Sequence, residues 1–214
     1  SILDKSRLGF ILKEDTLAGH LEITEALHHS FSGTWEQIWG EDRIVENNYH
    51  EMTIRVQKTS APKRKFNVVF RLFNDGFGFR YEFPEQEALK DFVIMDELTE
   101  FALTGDHKAW SIPYEAHFYE ALYEASPVSK LGWVSTPLTM ETNDGLFLSI
   151  HEANLTDYAA MNLIPKEGSM TLKANLTPWS TGEKVFMKAP GVTPWRTMIV
   201  AESAGDLLLS RLML

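Results

Sequence analysis

Between Phe66 and Phe83, apolar and polar residues alternate on both sides of Asn74-Asp75-Gly76, and few patterns narrow the choice of fold so far. Phe66, Val68, Phe70 and Leu72 fall on one face of the first run. Phe77, Phe79, Tyr81 and Phe83 repeat the pattern in the second, with Gly78, Arg80 and Glu82 between them. Successive side chains of a strand point to opposite faces, so a period of two marks a half-buried strand. An Asp-Gly between two such runs predicts a hairpin whose two turn positions both take positive φ. The same device recurs at Asn143-Asp144-Gly145, joining 137–142 to 146–152.

The rest of the chain agrees with a β-rich fold. Met52, Ile54 and Val56 alternate with Thr53, Arg55 and Gln57, and strands are predicted at 8–12, 92–95, 98–103, 161–164, 170–176, 197–201 and 207–213. Residues 85–90 after Pro84 fit one helical turn. The stretches 17–28 and 115–124 are ambiguous; in the second, Tyr119, Leu122 and Tyr123 fit helical spacing while Phe118 and Ala121 do not, so irregular or strand structure is preferred there. Residues 190–194 read as a loop before a C-terminal strand. Some dozen short strands separated by turn residues predict an all-β fold, a large β-sandwich of two packed sheets spanning 1–214 as one domain. Thirteen Phe and six Trp suit that reading, because flat rings pack well on a pleated surface.

A net charge of −10 argues against nucleic acid, which is held by clustered Lys and Arg. The one basic cluster, Lys63-Arg64-Lys65, reads as a solvated loop. With no cysteine, disulfides and thiolate metal sites are excluded. No apolar run approaches the roughly 20 residues of a membrane-spanning helix. Both ends have the look of a domain cut from a longer polypeptide.

No catalytic residue emerges from the motifs. There is no G-x-S-x-G, no H-E-x-x-H, no P-loop and no dinucleotide fingerprint. A glycosidase needs two carboxyl groups at a set separation. The acidic groupings Glu41-Asp42, Asp96-Glu97 with Glu100, and Glu115 with Glu120 read as solvated faces in a chain with 30 acids. Trp195-Arg196 reads as a packed Trp near a domain junction beside an Arg that bridges to an acid, and Trp35 and Trp39 as core or domain-interface packing; the alternative for each is a platform that stacks on sugar. One segment stands apart. In 146–153, Leu146, Leu148, Ile150 and Glu152 share a face. A carboxylate that continues an apolar face reaches a rim, gains a partner or ligates a cation, because burying it unpaired costs several kcal/mol. The alternative is that the strand ends near Ile150 and leaves Glu152 in solvent.

Several separated motifs together resemble the N-terminal domain of glycoside hydrolase family 97, the α-glucosidases and α-galactosidases of polysaccharide-degrading bacteria. They are Ser6-Arg7-Leu8-Gly9; Thr34-Trp35 with Trp39-Gly40-Glu41; Val69-Phe70-Arg71 through Asn74-Asp75-Gly76 to Phe79-Arg80-Tyr81; and Thr99-Glu100-Phe101 with Gly105-Asp106 and Ala109-Trp110. Pro137-Leu138-Thr139, Leu148-Ser149-Ile150-His151-Glu152-Ala153 with Asp157-Tyr158, and Thr193-Pro194-Trp195-Arg196-Thr197 follow in the family's order. The resemblance implies a galactose-mutarotase-like super-sandwich packed on a catalytic (β/α)8 barrel, which is absent from this chain along with the family's early strand and its last domain. It implies that Glu152 reaches the active site and helps hold a calcium ion, with the remaining ligands, and an oligosaccharide substrate, at the interface with the barrel. It also implies a periplasmic or exported bacterial protein. Two rival readings are a free-standing carbohydrate-binding sandwich and a small sandwich that is itself a glycosidase.

Overall fold

The computed structural model describes all residues from Ser1 to Leu214 except Tyr119. The hairpin that dominates the sequence is present: Lys65–Phe73 runs antiparallel to Gly76–Phe83. Its last pair is Phe73 with Gly76, so the turn consists of Asn74 and Asp75, neither of which has positive φ. The expected Asp-Gly turn is therefore displaced by one residue. Gly76 instead opens the return strand at φ +148°, where a β-carbon would run into the carbonyl oxygen of Met198 on the adjoining strand. The glycine serves a close strand approach. At the second hairpin only Gly145 takes positive φ, +88°. Its N–H donates to Thr142 O at 3.0 Å, closing the loop between Leu138–Glu141 and Phe147–Ala153.

These hairpins belong to one large antiparallel sheet. Its strand order is Glu124–Pro127, Lys108–Ser111, Leu138–Glu141, Phe147–Ala153, Trp195–Ala201, Gly76–Phe83, Lys65–Phe73, Ile44–Lys58 and Leu21–Glu36. Gly191–Val192, expected as part of a loop, adds a short rung to Gly76–Phe83. Two four-stranded sheets lie against it. One contains Val185–Lys188, Asp91–Glu97, Phe10–Leu12 and Thr16–Leu17; the other contains Val134–Ser135, Met161–Pro165, Thr171–Leu176 and Glu100–Ala102. The chain passes between them through Leu98 and Thr99. A single core draws on all three: Phe10 and Ile94, Tyr81, Leu148 and Ile150, and Leu163 and Leu172 are fully buried together. Phe10 meets Tyr81 edge-on at 4.5 Å between ring centroids. The all-β sandwich stands, with three sheets rather than two.

Four local expectations are corrected or resolved. Residues 207–213 were expected to be a strand, but Ala204–Leu209 is a short helix. Ser203 caps it by accepting the Asp206 N–H, and Asp206 lies in the first turn where the helix dipole favours an anion. Residues 85–90 form no helix: the Gln86 side chain instead accepts the Lys65 N–H and donates to the Lys65 and Pro84 carbonyls. The ambiguous stretch 17–28 lies largely in the long edge strand Leu21–Glu36, held by Glu25–Arg55 at 2.6 Å and by Phe31 stacked on Tyr49. In 115–124 the described residues before Glu124 are irregular and a strand begins at Glu124; Tyr119, part of the helical-spacing argument, lies outside the described residues.

Candidate functional site

The strand Phe147–Ala153 buries every second side chain, so Leu148, Ile150 and Glu152 point inward together. Glu152 sits directly opposite Arg196 of Trp195–Ala201. Cross-strand neighbours of opposite charge attract one another. Arg196 Nη1 donates to Glu152 Oε2 at 2.7 Å, and the Met161 N–H donates to Oε1 at 2.9 Å. The expected carboxylate on an apolar face is found, and it has gained a partner inside the sandwich. Arg196 reaches a second acid across the core: its Nε donates to Glu97 Oε1 at 2.9 Å and its Nη2 to Glu97 Oε2 at 2.6 Å. The Thr99 hydroxyl, itself hydrogen-bonded to the Tyr81 hydroxyl at 2.7 Å, donates to Glu97 Oε1 at 2.8 Å, and Tyr158 donates to Oε2 at 3.2 Å.

Two features set the chemistry of this trio. First, two carboxylates share one guanidinium, which leaves one surplus negative charge. Second, an ionised carboxylate offers about four acceptor positions. Protein donors fill all four on Glu97, whereas they supply one hydrogen bond to each oxygen of Glu152. Glu97 and Arg196 are fully buried, and Glu152 retains 8 % exposure on the wall of a cleft. Burial would raise the Glu97 carboxyl, but the Arg196 charge and the hydrogen bonds from Arg196, Thr99 and Tyr158 hold it below the usual range. Burial, then the Glu97 charge, push the Tyr158 phenol well above its usual value.

The cleft beside Glu152 is lined by His151, Asp157, Tyr158, Asn162 and Trp179, among others. Among the described residues, His151 Nδ1 and Asn162 Nδ2 find no hydrogen-bond partner. Burial holds the His151 imidazole below its ordinary value against the pull of Glu152. Among the described residues no cluster of three or more His, Asp or Glu side chains could hold a metal by itself. Calcium takes six to eight oxygens, so Glu152, which lines the cleft with Arg196 already on its Oε2, offers one side chain toward such a set and not a complete site.

The other candidates read from the sequence fall into place around this trio. Glu97 was expected on a solvated face with Asp96 and Glu100. Instead Glu97 is buried, Asp96 pairs with Lys173 and Lys184, and Glu100 pairs with Lys166 at 2.9 Å. Glu41, Glu115 and Glu120 are exposed as expected, while Asp42 pairs with Arg211. Arg64 is not a free loop cation, since it binds Asp15 and the Ala88 carbonyl. Arg196 does bridge to acids, and Trp195 packs under the Arg71 and Arg80 guanidiniums at 4.8 and 4.7 Å. Trp35 and Trp39 are outside the core, Trp39 being 87 % exposed. Arg196 brings Glu97 and Glu152 together, but Glu97 is sealed from the cleft and saturated with donors, so it is not placed to act as a general acid or base there.

The whole chain, residues 1–214, matches the family described as Glycosyl-hydrolase 97 N-terminal. The retaining alpha-galactosidase of Bacteroides thetaiotaomicron is 25 % identical over 201 residues, which cover 78 % of this chain and 29 % of that protein. A variant of a Glycoside Hydrolase Family 97 enzyme from Pseudoalteromonas sp. strain K8 superposes with a TM-score of 0.94 at 37 % identity, covering 98 % of this chain and 32 % of that one. The same enzyme in complex with acarbose gives 0.93 at 37 % identity, with the same coverage. The chain thus spans about a third of the length of the relatives it matches.

Proposed function

The chain belongs to the Glycosyl-hydrolase 97 N-terminal family, and from that premise we propose that it is the non-catalytic β-sandwich of a larger glycoside hydrolase of α-glucosidase or α-galactosidase type. The name of the Bacteroides relative supports an α-glycosidic bond as the substrate, and the sealed Glu97 supports the assignment of catalysis to another part of the polypeptide. In this reading a (β/α)8 barrel carries the catalytic acids and closes over the cleft at Glu152. An exported, periplasmic setting goes with the family resemblance and the bacterial source of the relative.

The carrying observation is the half-open carboxylate of Glu152. It belongs to a trio with one surplus negative charge, it lines a cleft, and protein groups donate only one hydrogen bond to each of its oxygens. Its assigned role is that of one ligand of a calcium ion whose other oxygens come from the barrel, water and the oligosaccharide. When bound, that ion supplies polarisation of a substrate oxygen and orientation of the leaving group. The chain's own residues do the positioning: Arg196 and the Met161 N–H each grip one carboxylate oxygen and together fix the rotamer.

In the full-length enzyme Glu152→Ala is expected to lower calcium affinity and α-glycoside hydrolysis together, by at least the roughly tenfold that losing even a group behind a metal ligand costs. The isolated 1–214 piece is expected to show neither hydrolysis nor tight calcium binding. Unchanged activity and calcium affinity in the variant would remove Glu152 from the site. Tight oligosaccharide binding by the isolated piece would instead favour a free-standing carbohydrate-binding sandwich.

A further inference from the structure

Within the trio Glu97 lies away from the cleft and meets Glu152 only through Arg196. Arg196 is held in a two-pronged grip by Glu97 and reaches Glu152 with its third nitrogen only. Paired, planar contacts of this kind are the stronger ones. With Glu97 closed on all four positions by Arg196, Thr99 and Tyr158, the guanidinium charge is neutralised mainly away from the cleft. Tyr158 supports the same arrangement from the side, with the Arg196 guanidinium 5.6 Å from its ring centroid. Glu152 therefore keeps a fixed direction from Arg196 without being fully discharged by it.

We propose that Glu97 is a positioning residue for cation capture at Glu152, acting through Arg196 without contact with the ion. The inference rests on the reading of Glu152 as a cation ligand. Neutralising Glu97 would leave one guanidinium facing one carboxylate, and that balanced pair would attract a divalent cation less. A role in packing alone makes the opposite forecast for a shortened acid: Glu97→Asp would do at least as much harm as the near-isosteric Glu97→Gln. A role through charge makes Glu97→Asp the milder change.

The test is calorimetric titration of calcium alone into the metal-stripped, full-length enzyme, with melting temperatures recorded in the absence of metal. Glu97→Gln is expected to weaken calcium about tenfold, within the range seen for residues behind a metal ligand, and Glu97→Asp to recover most of that loss. Where Glu97→Gln does not yield folded protein, Glu97→Met carries the same test, since it leaves a neutral buried pair. The inference is overturned if the neutral variant binds calcium within twofold of wild type, or if Glu97→Asp is as weak as Glu97→Gln. Glu152→Gln separates the two levels: unchanged affinity there defeats the ligand assignment itself, whatever Glu97 does.

Discussion

Arg196→Met is expected to destabilise the domain by about 3–5 kcal/mol, the usual cost of removing one member of a buried ion network and leaving its partners charged. The fully buried guanidinium balances Glu97 from two nitrogens and Glu152 from a third, so its loss sets two carboxylates against each other inside the sandwich. Domains of this size are stable by only about 5–15 kcal/mol, so the variant loses a large fraction of its margin. Chemical denaturation of the isolated domain measures it. Replacing Glu97 and Glu152 by Leu in the same molecule is expected to return most of the loss, because a well-packed apolar core replaces a buried ion network at little cost. A single variant within about 1 kcal/mol of wild type would mean that the trio is wet or loosely held. The recovery would also carry a functional message: the network exists for what Glu152 does at the cleft, not for stability.

Gly76→Ala should cost about 3 kcal/mol or more. Two effects add at one atom. The φ of +148° strains any residue with a β-carbon, by roughly 1–3 kcal/mol. The new methyl also meets the Met198 carbonyl and the Ile199 Cα of the neighbouring strand, and overpacking of this kind costs a further 1–3 kcal/mol or so. Neither contact is a flexible side-chain end that could swing away. By contrast, Gly145→Ala, with open space around its β-carbon position, should cost only the backbone strain. Thermal melts of the two variants side by side check the order; equal losses would place the Gly76 effect in the turn rather than in the approach of Trp195–Ala201.

That contrast shows what a sequence can and cannot convey. Alternation identified the hairpin and its buried face, because the period of a strand is local. The use of Gly76 was not local: it answers to Met198, on a strand far along the chain. Glu152 behaved similarly. Its inward direction followed from Leu148 and Ile150, but its partners lie on two other strands. Arg196 carried a signal, being in phase with buried Met198 in an apolar run. Glu97 carried a misleading one. Met95 is an extra residue at a bulge, where Ile11 pairs with Asp96 and Leu12 with Ile94. Strict alternation from Ile94 would turn Asp96 inward; the bulge turns Glu97 inward instead. The long strand Leu21–Glu36 escaped because its alternating apolar residues, Leu21, Ile23, Leu27, Phe31 and Trp35, are interrupted by Glu25, His29 and Gly33 and lie largely exposed at a sheet edge. The closing helix escaped because its apolar run has no buried residue to set a phase, and only the Ser203 cap marks its start.

A crystal structure of the full-length enzyme grown with calcium tests the account most directly. It should place the ion about 2.3–2.6 Å from a Glu152 oxygen, with Arg196 still on Oε2, the Met161 N–H still on Oε1, and the remaining ligands supplied from outside residues 1–214. An ion bound in the active site with Glu152 out of reach, its carboxylate held only by Arg196 and Met161, would contradict it.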